Sequence, residues 1–131
     1  MRPRVFTALS ATLAAVLISS ATADAHHSFA PFDMQAEKTI SGTVKQFDWT
    51  NPHTWIWVNV AGPGGVETWA IEGMSPNFLG RRGWTKSSLK AGDKITMVIR
   101  PLRDGSKGGM FVRATLADGK VLLQTGEPTE P

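Results

Sequence analysis

The chain has 131 residues, no cysteine and a formal net charge of +3, which suits a single domain with a modest core. The missing thiols exclude disulfides, zinc–thiolate sites, thiol redox chemistry and a cysteine nucleophile. So small a charge excess, supplied in part by Arg2 and Arg4 at the very start, argues against a surface for nucleic acid or another polyanion.

Residues 1–25 read as a secretory signal peptide: Arg2 and Arg4, an apolar stretch over 5–18, then small residues ending in Ala23-Asp24-Ala25. Thr7, Ser10 and Thr12 break the stretch, which falls short of the roughly 20 apolar residues of a spanning helix. Cleavage after Ala25 is therefore expected, giving a periplasmic product with no membrane association. Its first residue is His26.

Residues 26–37 carry Phe29, Pro31, Phe32 and Met34 and are expected to pack on the domain as an N-terminal arm. Short β-runs separated by Gly, Pro and Asp follow. The first, 38–49, places Ile40, Gly42 and Val44 on one face with Phe47 and Trp49 out of phase, which predicts a bulge or bend. The second, 53–61, ends in the turn signal Gly62-Pro63-Gly64-Gly65, and 66–74 pairs back as a hairpin. Ser75 as N-cap and Pro76 at the first helical position predict one or two helical turns, interrupted by Gly80 and Gly83. A further single turn is a candidate over 85–89. Strand 94–102 alternates Ile95, Met97 and Ile99 against Thr96, Val98 and Arg100. Strands 110–116 and 120–124 are joined by Asp118-Gly119, a strong hairpin signal, and 125–131 reads as a disordered tail.

Three strands, a short helical crossover and two or three more strands predict an all-β fold. The expected form is a small OB-like Greek-key barrel of five to six strands over 38–124, with the crossover after strand 3. A β-sandwich is the alternative, but immunoglobulin-type sandwiches usually need about seven strands.

On the second strand His53, Trp55, Trp57 and Asn59 project one way and Ile56, Val58 and Val60 the other. The aliphatic face is the natural interior, so two tryptophans and a histidine are left outside. Either the arm covers them, or they form an aromatic platform, with Trp84 as a third member, for a small ligand such as a sugar or for a periplasmic partner protein. Glu72 shares the face of Val66, Thr68 and Ala70; were that face interior, Arg81 or Arg82 would be its partner. Glu67 and Glu72 fall on opposite faces and make no acid–base pair. No G-x-S-x-G elbow or phosphate-binding glycine pattern occurs, and an enzyme is not expected.

The chain has 3 histidines, and His26, with a freed α-amine beside its imidazole, stands next to His27 at the expected new terminus. If the arm packs along the second strand, both approach His53. Amine and imidazole nitrogens suit Cu(II), Ni(II) or Zn(II), and the set resembles the histidine brace of copper oxygenases and copper carriers. Met34, Met74, Met97 and Met110 would extend a Cu(I) site, although lone methionines usually serve as core. The plainer alternative makes His26-His27 a polar start and His53 a turn cap.

Taken together, Ala25-His26-His27-Ser28-Phe29, Phe32-Asp33, Gly42-Thr43-Val44, Trp49-Thr50-Asn51-Pro52-His53-x-Trp55, Trp69, Glu72, Leu79-x-Arg81-x-Gly83-Trp84, Gly92-Asp93 and Arg103-Asp104-Gly105 resemble a family of small exported bacterial proteins of unknown function. The resemblance implies export and a compact β-domain, with no activity attached. The expected function is periplasmic binding of a transition metal, copper favoured, through His26, His27 and His53 in a carrier or accessory role. The alternative is a metal-free binding module using Trp55, Trp57 and Trp84, which needs no cofactor.

Overall fold

The computed structural model of the protein describes residues 29–125; the expected signal peptide, His26, His27 and residues 126–131 lie outside them. The element order is β1 (Lys38–Asp48), β2 (Trp55–Gly62), β3 (Gly65–Glu72), α1 (Pro76–Gly80), β4 (Lys94–Pro101), β5 (Gly108–Leu116) and β6 (Val121–Leu123). The fold is nearly all β, as the patterning predicts.

β1 serves two neighbours because its phase changes midway. Its first half pairs antiparallel with β4, from Lys38 opposite Ile99 to Thr43 opposite Lys94. Its second half pairs with β2, and a register shift between Val44 and Gln46 marks the bulge. Ile40 and Val44 are buried before that point, and Phe47 and Trp49 pack against the same core after it. The bulge thus bends one strand around the barrel corner.

β2 and β3 form the expected hairpin, in register from Gly62 opposite Gly65 to Trp55 opposite Glu72. Gly65 takes the left-handed backbone, φ 126°, that closes the turn. β2 begins at Trp55 rather than His53, because the amide of Thr54 donates to the Met74 carbonyl at 3.1 Å outside the regular ladder. The buried faces carry Ile56 and Val58 on β2 and Trp69 and Ile71 on β3.

α1 starts as the sequence predicts. Ser75 is the N-cap, its hydroxyl accepting from the Phe78 amide at 3.2 Å, and Pro76 opens the helix. The helix and the turns after it place Leu79, Trp84 and Leu89 in the core. β4 buries Ile95, Met97 and Ile99. Val98, expected on the outer face, is buried as well, at a second register shift between Val98 and Ile99.

The sheet order is β3-β2-β1-β4-β5-β6, and a parallel pairing of β3 with β5 closes its first five strands into a ring. β6 adds to β5 outside that ring. This is the OB-like Greek-key barrel with a helical crossover after strand 3. Among the described residues, no helix is long and apolar enough to cross a membrane.

Closure demands bare backbone. A β-carbon on Gly108 would lie 2.7 Å from the Ala70 carbonyl oxygen, and one on Gly109 would run into the carbonyl oxygen of Arg100. Gly109→Ala is therefore expected to destabilise the fold by about 1–3 kcal/mol, as overpacking does, measured by urea unfolding. A midpoint equal to wild type would show that the β4–β5 pairing has slack at this point. Ser75→Ala is expected to cost about 1 kcal/mol through the lost cap, read from the same transition, with unchanged stability counting against the cap.

Candidate functional site

The site forms where β2 begins and β3 ends. Thr54 is fully buried; its hydroxyl donates to the Met74 carbonyl at 2.9 Å, and its carbonyl accepts from the Gly73 amide at 2.8 Å. Gly73 has no room for a side chain, since a β-carbon there would strike the Thr54 hydroxyl. On the other side, Thr50 donates its hydroxyl to the His53 carbonyl at 3.1 Å. These contacts fix the backbone on both sides of His53.

His53 Nδ1 lies 3.0 Å from Glu72 Oε1 and 3.1 Å from the Gly73 carbonyl oxygen. Both neighbours are acceptors when the carboxylate is ionised, so the hydrogen-bond pattern assigns the ring proton to Nδ1. The side chains of His53 and Glu72 are 15% and 25% exposed, enough shelter to hold the geometry while leaving an approach from solvent. A carboxylate and a carbonyl on Nδ1 fix the tautomer and the orientation of the imidazole.

Glu72 had Arg81 or Arg82 as its expected partner were its face interior. That face is exterior, and His53 takes the role. Arg82 instead lies over the Phe78 ring at 3.7 Å and donates to the Phe78 carbonyl. The hairpin signal contained this pairing: a turn that sets Gly62 opposite Gly65 sets Trp55 opposite Glu72, with His53 two residues before Trp55 on the same face.

The arm reaches the same place through Phe29 and Phe32. Phe32 bridges to Leu102, the Asp33 amide donates to the Pro101 carbonyl at 2.8 Å, and the Arg103 amide donates to the Pro31 carbonyl at 2.9 Å. Arg103 Nε adds a bond to the Ala30 carbonyl at 3.2 Å. Phe29 and Phe32 thereby join His53, Glu72, Met74 and Met110 around a cavity of ≈ 50 Å³. Liquid water occupies about 30 Å³ per molecule, so this volume suits an ion or one to two waters. The sequence leaves Met74 and Met110 open between a Cu(I) site and the core; Met110 reaches the cavity through a long-range pairing that no local pattern signals.

Trp55 and Trp57 project from the barrel exterior as expected, their rings 6.2 Å apart and inclined by 27°. Trp57 Nε1 donates to Asp48 Oδ2 at 2.8 Å, and Asp48 Oδ1 accepts from Gln46 Nε2 at 2.5 Å. Trp84, expected on the same platform, belongs to the core instead. It is 4% exposed, stands edge-on to Phe111, and donates its indole N–H to the Leu123 carbonyl at 2.9 Å. Its loop carries no periodicity from which its direction could be read.

Of the three histidines proposed as metal ligands, His53 is placed, while His26 and His27 lie outside the described residues. Among the described residues, no group of three or more His, Cys, Asp or Glu side chains is gathered to hold a metal ion.

No curated protein shows significant similarity to the chain. Among solved structures, it is similar to the mitochondrial single-stranded DNA-binding protein Rim1 of S. cerevisiae at 12% identity and a TM-score of 0.46, over 63% of this chain and 94% of that one. A family model described as a family of unknown function (DUF6152) matches residues 14–113. That span includes the placed histidine, its carboxylate partner and the seam between β3 and β5, and the chain belongs to this family.

Proposed function

We propose that the protein is an exported carrier or accessory protein that binds a transition-metal ion, copper before others, through His53, His26 and His27. The observation that carries this reading is the His53–Glu72 contact of 3.0 Å. With Nδ1 engaged by a carboxylate, the neutral ring has its lone pair on Nε2, the arrangement that orients metal-binding imidazoles. Phe29 lines the same cavity. At no more than about 3.6 Å of chain per residue, the Cα atoms of His27 and His26 are tethered within about 7 Å and about 11 Å of the Phe29 Cα. Signal cleavage after Ala25 would add the α-amine of His26 to the donors. Copper leads because nitrogen sites bind Cu(II) more tightly than Ni(II) or Zn(II). Carriage is preferred to turnover because Glu72 is committed to orienting His53.

A metal-free binding module is the second reading. The paired Trp55 and Trp57 rings on the exterior favour it, with a saccharide or a periplasmic partner protein as the occupant.

Calorimetry and EPR on the exported protein, its terminus verified by mass, separate the two. One Cu(II) per chain with a Kd below about 1 μM is expected. Affinity should fall roughly 10- to 100-fold in Glu72→Gln and further in His53→Ala and His26→Ala. Binding that survives both histidine substitutions unchanged would sink the metal reading. Tryptophan quenching by cell-wall saccharides without any metal response would support the module.

A further inference from the structure

The cavity beside His53 is lined by two methionines as well as by the imidazole. Met74 follows Gly73 directly, and the parallel register that sets Glu72 opposite Met110 carries Met110 to the same cavity. Their placement differs from that of Met97, which is fully buried at 0% exposure in the barrel core. Met110 is half-buried on the cavity wall, and Met74 packs at the margin of the core while facing the cavity.

The chemistry of these donors selects among ions. Thioether sulfur is a soft ligand that favours Cu(I) over Cu(II) and Zn(II). The hard donors present, the Glu72 carboxylate and the Gly73 carbonyl, are turned to His53 Nδ1. Phe29 and Phe32 supply apolar wall, and burying a single charge beside such a wall costs far less than burying a double one. Low charge, soft donors and one imidazole nitrogen all point to a monovalent d¹⁰ ion.

We infer that His53, Met74 and Met110 form a site for Cu(I), an inference that rests on His53 being a metal ligand as proposed above but does not require His26 or His27. Met74 and Met110 supply the sulfur ligands and Glu72 positions the imidazole.

The test uses the full exported chain with ¹³C-labelled methionine methyl groups, titrated with Ag(I) as a redox-inert substitute for Cu(I). The Met74 and Met110 methyl resonances are expected to move and saturate at one ion per chain, while the core Met97 resonance stays in place. In parallel, Cu(I) affinity is measured by competition with bicinchoninate. The double variant Met74→Leu, Met110→Leu keeps side-chain volume, and an unmoved Met97 resonance reports its fold. It should lose more than about tenfold in Cu(I) affinity and keep its Cu(II) affinity. Unmoved Met74 and Met110 methyls, or unchanged Cu(I) affinity in the double variant, overturn the inference. If His53-dependent Cu(II) binding persists in that case, the broader metal reading stands without it. If the two methyls respond but Cu(II) is not bound, the thioether site stands and the terminal histidine ligands fall. A protein that binds neither ion overturns both.

Discussion

The parallel pairing of β3 with β5 is the contact on which both the barrel and its candidate site depend. It joins Ala70, Ile71 and Glu72 to Gly108, Gly109 and Met110, segments far apart in sequence. Closing so long a loop costs entropy, although that cost grows slowly with length. The offset comes from the core that closure seals, where Ile71, Ile99 and Phe111 are at most 1% exposed. Each such side chain contributes about 1.5–3 kcal/mol relative to exposure. Gly108 lets β5 reach bonding distance of β3, since a side chain there would meet the Ala70 carbonyl oxygen, and Gly109 does the same towards β4 at the Arg100 carbonyl oxygen. The same register then puts Met110 beside Glu72, and Glu72 beside His53.

A site built this way inherits the rigidity of the strands around it. His53 stands on a short approach to β2 rather than in the strand, yet the buried Thr54 locks that approach to Gly73 and Met74 through backbone and side-chain bonds. Gln124 extends the lock from the other end of the chain, its side-chain oxygen accepting from the Met74 amide at 3.1 Å. Positions fixed by several bonds lose little freedom when a ligand arrives, and preorganised donors bind more tightly than mobile ones for that reason.

Much of this architecture was legible in the sequence because its signals are local. The out-of-phase Phe47 and Trp49 marked the bulge, Ser75-Pro76 marked the helix start, and the Gly62–Gly65 turn fixed the hairpin register. The crossover after the third strand then singled out the barrel. What escaped is what depends on packing between distant segments. The direction of Trp84 is set by Phe111 and the Leu123 carbonyl, neither of which is near it in sequence. The outward direction of Glu72 follows from Trp69 and Ile71 taking the interior. The place of Met110 follows from barrel closure alone. His53 was readable as exterior by strand alternation, but its carboxylate partner required the hairpin register to be carried two residues past the last ladder pair.

The arm completes the site in a different manner from the barrel. Three walls of the cavity are strands or their immediate continuations, whereas Phe29 and Phe32 come from a segment held mainly to residues 100–103. Its bonds to Pro101 and the Arg103 amide are backbone contacts, joined by one from the Arg103 side chain, and Arg100 ties the junction with β1 by donating to the Ala36 carbonyl and pairing with Glu37 at 3.2 Å. Phe32 is 7% exposed and anchors the segment, while Phe29 is 47% exposed at the described end of the chain. Apolar contact is therefore strong at Phe32 and weak at Phe29, the residue through which the arm leads back to His27 and His26. The polar side of the site and its two methionines are fixed by the barrel, whereas its aromatic side is supplied by the arm. Two parts of the chain with separate sources of stability thus share one cavity, and the arm's attachment to residues 100–103 sets how enclosed His53 is.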